Sequence, residues 1–124
     1  MALNEDNDNR GYVLGRLFAA LEKAQRDALG QNINATIRDR YMGSAATTPA
    51  RVFPQLLKLA QHHISKAEYG GFAERAIESI MSKIDSAEGF PATLSLSEQG
   101  QFYIGYYQQK AAFWTKKDAM KEEN

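Results

Sequence analysis

The 124-residue chain has no cysteine. Disulfides, thiolate nucleophiles and cysteine-ligated zinc are therefore excluded. Its two histidines, His62 and His63, are adjacent, so on a helix they point about 100° apart and cannot chelate one metal together. No apolar run approaches the roughly 18 residues of a membrane span. The first residues are polar and acidic rather than signal-like, which predicts a cytoplasmic protein with no membrane contact. The formal net charge is zero. Recognised catalytic signatures are missing as well: there is no His-Glu-x-x-His, no Gly-x-Gly-x-x-Gly and no Walker loop. Carboxylates are scattered and nothing in the spacing pairs them for acid–base work. The expectation is a protein that is not an enzyme, with no metal, no cofactor and no catalytic residue. Asn34-Ala35-Thr36 matches a glycosylation acceptor, but a helix cap is the better reading of Asn34 in a chain without secretion features.

What is present suits one domain. Hydrophobic residues make up 44% and charged residues 24%, ordinary values for a globular chain. The spacing predicts an all-α fold, a single helical bundle of about five helices, over residues 10–117. A polar acidic tail (1–9) precedes it and a charged tail (118–124) follows. The first helix spans Arg10 to Leu29, with Asn7 to Asn9 as caps and Gly30 as a left-handed stop. Asn34 caps a short helix from Ala35 to Met42, which Gly43 ends. Ser44 to Pro49 then reads as a loop, with Thr48 capping a third helix and Pro49 at its first position. Pro54 forfeits a backbone hydrogen bond and predicts a bend. Gly70 and Gly71 separate a fourth helix, Phe72 to about Ser86, whose apolar face is Phe72, Ala76, Ile77, Ile80, Met81 and Ile84. Gly89 and Pro91 break the chain again. Ser95 and Glu98 form a capping box for a last helix running to Lys117 or beyond.

Two surfaces stand out. On the third helix Arg51, Gln55, Lys58, His62 and Lys66 fall on one face, a stripe of roughly 22 Å at 1.5 Å per residue. Phe53, Leu56, Leu57, Ala60, Ile64 and Ala67 occupy the other face, with His63 at its flank in a packed role. Charge is segregated: residues 9–117 hold 14 basic against 9 acidic side chains, and residues 31–67 hold Arg38, Arg40, Arg51, Lys58 and Lys66 against Asp39 alone. Such a patch can hold phosphates although the chain is neutral, and a solvated polar face is the bland alternative. The acidic tails are candidates to shield it. The last helix is apolar on two sides, Leu96, Gly100, Tyr103, Ile104, Tyr107, Ala111 and Trp114 on one and Phe102, Tyr106 and Phe113 on the other. That pattern predicts a central helix wrapped by its neighbours. An aromatic interface with a partner protein, or stacking on unpaired bases, are the alternatives. Gly105 costs about 1 kcal/mol in such a helix, which the close approach of another backbone would explain. An oligomeric contact is one such approach.

The run NATIRDRYMGSAATTPARVFPQLLKLAQHH, with YVLGRLFAALEKAQ before it and FPATLSLSEQGQFYIGYYQQKAAFWTKK after it, resembles the C-terminal region of the large subunit of type I-C CRISPR Cascade complexes. The resemblance covers nearly all of Tyr12 to Lys117. In that family this region is similar to the small subunit of other Cascades and can be made separately from an internal start, which Met1 would fit, as would an engineered truncation. The resemblance implies a non-catalytic small subunit supporting the crRNA–target DNA heteroduplex and the displaced strand by sequence-independent phosphate contacts. Its implied partners are the Cascade backbone and large subunits, crRNA and target DNA, and another copy of itself. Helical spacing, not a family site, selects the candidate nucleic-acid contacts Arg38, Arg40, Arg51, Lys58, His62 and Lys66, with Lys110, Lys116 and Lys117 behind them. The competing class is a structural helical adaptor that touches no nucleic acid.

Overall fold

Asn9 opens the first helix as expected: its side-chain oxygen accepts hydrogen bonds from the backbone amides of Gly11 (2.9 Å) and Tyr12 (3.3 Å). A computed structural model describes residues 2–30, 36–66, 70–84 and 87–122; the side chains of Lys66 and of residues 114 onward lie outside the described set. Its elements are α1 (Arg10–Leu29), α2 (Ile37–Thr47), α3 (Pro49–Lys66), α4 (Gly70–Met81) and α5 (Leu96–Glu122). Among the described residues the fold is an all-α bundle of five helices, as the spacing predicted.

The boundaries depart from the sequence reading at both ends of α2 and of α4. The cap of α2 is Thr36, where Thr36 Oγ1 accepts from the Asp39 amide and Asp39 accepts from the Thr36 amide, both at 3.2 Å. Asn34, the expected cap, lies outside the described residues. Gly43 does not stop α2, and Ser44 to Thr47 are helical rather than loop. The cause is tertiary: Ala45 and Ala46 are buried, which offsets the helix cost of an exposed Gly43. Finally, α4 starts at Gly70, so Gly70 and Gly71 belong to the helix they were expected to precede, and it ends at Met81 rather than near Ser86. Pro54 sits inside α3 without ending it. Gly30 adopts φ 58° and ψ −126°, a positive-φ cap as foreseen but beyond the left-handed helical region.

The central helix is α1, not α5. Every residue from Gly11 to Glu22 is buried, and α1 packs against each of the other four helices. Phe18 sits at the middle, its ring 5.8 Å from Tyr106, 5.9 Å from Phe102 and 6.5 Å from Phe53. These separations suit the edge and tilted contacts aromatic rings prefer. Phe90, from the segment before α5, stacks on Phe53 at 5.3 Å. The same segment ties down the α2–α3 junction, where Pro91 accepts from the Ala50 amide (3.0 Å) and the Leu94 amide donates to Thr47 (3.2 Å).

Helices α1 and α5 run parallel, since partners climb in step from Arg10–Glu98 to Arg16–Gln109. Their backbones meet at three glycines. A Cβ on Gly11 would collide with the Glu98 carbonyl oxygen, one on Gly15 with that of Phe102, and one on Gly105 with that of Tyr12. The close approach that explains Gly105 is therefore made within the chain and requires no second molecule.

The start of α5 is fastened twice. The Ser95 amide donates to Glu98 (2.9 Å) and Ser95 Oγ accepts from the Glu98 amide (3.1 Å), the expected capping box. Arg10 also pairs with Glu98. That guanidinium, with the Ser95 amide, holds the Glu98 carboxyl well below the usual range, at about 2. A depressed carboxyl stabilises the fold at neutral pH and loses that contribution as pH falls from about 4.5 to about 2. Glu98→Gln is expected to cost about 1 kcal/mol at neutral pH, the size of a lost helix cap. It should also flatten the stability profile across this acid window, as urea denaturation at stepped pH would read.

Candidate nucleic-acid interface

Amphipathic spacing sorts α3 cleanly. Arg51, Gln55, Lys58 and His62 are all exposed, while Phe53, Leu56, Ala60 and His63 are buried. The mechanism is the one read from the sequence: the apolar face docks on α1, leaving a straight polar face outward. Pro49 and the buried Val52 anchor its first turns beneath the α2–α3 junction. His63 occupies the packed position expected of it. Among the described residues Arg40, Arg51 and Lys58 have no salt-bridge partner, so their charge is not neutralised within the fold. Lys66 belongs to α3, but its side chain lies outside the described residues, as do those of Lys116 and Lys117 in α5.

The remaining candidates divide. Arg38 leans from α2 onto α5: its Nη2 donates to the Tyr107 hydroxyl (2.8 Å), and its guanidinium carbon lies 5.7 Å from the Tyr107 ring centre and 5.9 Å from that of Tyr106. It remains exposed, so it presents a cation framed by aromatic rings. Arg40 is exposed on α2. Lys110 has another task. Its Nζ lies 3.4 Å from Glu22 and 3.3 Å from the Tyr106 hydroxyl, which itself donates to Glu22 at 2.7 Å. Glu22 is buried, so Lys110 balances an interior carboxylate. Burial and this acceptor push the Tyr106 phenol well above its ordinary value.

The two faces of α5 have opposite fates. Phe102 and Tyr106 are core, as is Gly105. The other stripe is open: Tyr103 is 39% exposed, Ile104 41%, Tyr107 50% and Leu96 85%. The wrapped-helix expectation fails here because α1 covers one side of α5 only. Arg38 is the cation the sequence reading did not place beside this stripe. Its proximity depends on how α2 crosses α5, which no local spacing records.

The acidic N-terminal segment is not laid over the α3 face. The Asn4 amide donates to the Tyr12 hydroxyl (2.9 Å), and Asp8 pairs with Lys83 (3.4 Å). These bonds hold it against α1 and the turn that follows α4. The chain contains no helix that is, among the described residues, long and apolar enough to cross a membrane. Nor do three His, Asp or Glu side chains converge as a metal cluster among them.

A family model described as CRISPR-associated protein (Cas_Csd1) matches residues 1–114. No curated protein matches the chain.

Proposed function

The chain belongs to the CRISPR-associated Csd1 family, and from that premise we propose that it is a non-catalytic small subunit of a type I-C Cascade, binding nucleic acid through phosphate contacts. The observation that carries the reading is the outward face of α3, where Arg51, Gln55, Lys58 and His62 lie in line with no internal counter-ion for Arg51 or Lys58 among the described residues. A row of this kind meets phosphates without reading bases, so binding is sequence-independent and salt-sensitive. Exchanging one duplex for a guide–target heteroduplex is nearly balanced in free energy, and a few such contacts are enough to tip it. Arg40 adds an exposed cation on α2, and Arg38 with Tyr107 adds a surface on which an unpaired base can stack. Guide RNA and target DNA are the polyanions this assigns to the face, and the backbone and large subunits are its protein neighbours.

A second reading has its own support. The open Tyr103, Ile104 and Tyr107 stripe has the composition of a protein interface, and a structural adaptor would use it without touching nucleic acid. Fluorescence anisotropy with a labelled single-stranded DNA across a salt series separates the two. The nucleic-acid reading expects affinity to fall linearly on a log–log plot, by about 0.7 in slope for each phosphate engaged. Absence of binding at low salt would reject direct contact by the free chain and favour the adaptor.

A further inference from the structure

Arg16 interrupts the apolar run of α1 with a cation. The residue is 4% exposed. Nε donates to Gln109 Oε1 on α5 at 2.9 Å, but Nη1 is buried with no hydrogen-bond partner among the described residues. Arginine stays protonated in proteins, so this is an interior cation whose fork is only half satisfied. Burial pulls the guanidinium below its ordinary value, with Glu5 and Tyr12 acting against that.

The guanidinium lines a cavity of about 240 Å³ between α1, α4 and α5. Arg75 and Ser79 of α4 and Gln109 of α5 also line it, and Phe113 supplies an apolar wall. Glu5 of the N-terminal segment lies at the same cavity, yet makes no salt bridge with either arginine among the described residues. The lining thus carries two cations against one carboxylate, in a place partly shielded from water. Several kcal/mol of desolvation weigh on an uncompensated buried charge, roughly. A second oxygen-bearing anion on the fork removes that penalty, because planar guanidinium donors match carboxylate and phosphate oxygens two at a time.

We propose that this cavity binds a single oxyanion, a carboxylate or a phosphate group, with Arg16 at its floor and Arg75 at its rim. Glu5 is a weak internal competitor that leaves when the anion enters. The site is separate from the α3 face, and its test does not depend on nucleic-acid binding.

Thermal melts of the full chain in sodium phosphate, sodium acetate and sodium chloride at matched ionic strength and neutral pH provide the test. A saturable rise in Tm with phosphate or acetate, absent with chloride, is expected, and the salt that produces it identifies the group preferred. Arg75→Ala, an exposed change, should raise the half-saturating concentration about tenfold, the worth of one charge-assisted hydrogen bond. Glu5→Gln should lower it by roughly threefold as the competing charge is removed, a direction that loss of structure would not produce. Arg16→Met should abolish saturation; if it does not fold, the other two variants still decide. An equal response to all three salts, or half-saturation unmoved by Arg75→Ala and Glu5→Gln, would overturn the proposal.

Discussion

Gly15→Val is expected to melt at least about 10 °C below the wild-type chain, or not to fold at all. Gly15 lies where α1 and α5 run closest, and any Cβ there strikes the Phe102 carbonyl oxygen and comes within 2.9 Å of the Tyr106 amide nitrogen. Both obstacles are backbone, so no side chain can swing aside. Overpacking a well-filled interior typically costs about 1–3 kcal/mol and more where backbone must move. Valine adds two further carbons at the contact and lowers helix propensity slightly. For a domain of this size each kcal/mol shifts Tm by roughly 3–6 °C. The controls point the other way. Gly43 and Gly100 are helical and exposed, with nothing within 4 Å of an added Cβ. Gly43→Ala and Gly100→Ala should therefore raise stability, each by up to about 1 kcal/mol. Circular dichroism melts of the three variants suffice, and a Gly15→Val curve within a few degrees of wild type would refute the close helix pairing.

Reversing charge at Arg51, Lys58 and Lys66 together should weaken single-stranded DNA binding by roughly 100-fold at low salt and lower the salt slope by about 2, three phosphate contacts' worth. Arg51 and Lys58 are solvent-exposed, and among the described residues neither pairs with a carboxylate. Folding should be nearly unaffected, since surface changes away from packed features stay within about 0.5 kcal/mol. Unchanged Tm with lost binding would assign phosphates to α3. Unchanged Tm with intact binding would move the contact elsewhere, with Arg38 and Arg40 the next residues to reverse. If the variant instead fails only to enter a reconstituted complex, the adaptor reading gains.

Several features were legible one helix at a time. The Ser95–Glu98 capping box, the polar stripe of α3 and the buried place of His63 depend on residues within a few turns of one another, where periodicity carries the information. Lys110 shows the limit. By spacing it is one more cation behind the patch, yet its partner Glu22 is 88 residues away and interior, which no pattern along α5 reveals. The extent of α2 was misread for a related reason. Glycine and threonine predict a stop locally, and burial of Ala45 and Ala46 overrides them.

Residue chemistry and the 3.6-residue period were enough to establish the class of fold, the two faces of α3 and the segregation of positive charge on it. Tertiary structure alone decided which helix lies at the centre. Arg16, Glu22 and Gln25 make α1 look half-polar, and groups on other helices meet them: Gln109 takes one donor of Arg16, Tyr106 and Lys110 serve Glu22, and the Ile37 amide serves Gln25. Three glycines then let α5 settle on α1 along one side, so the aromatic stripe that looked like a second core face is left in water. The hydrophobic effect is non-directional and establishes only that apolar faces seek cover. Which face finds it depends on backbone distances and on polar partners far apart in the chain, and these exist only once the helices are assembled.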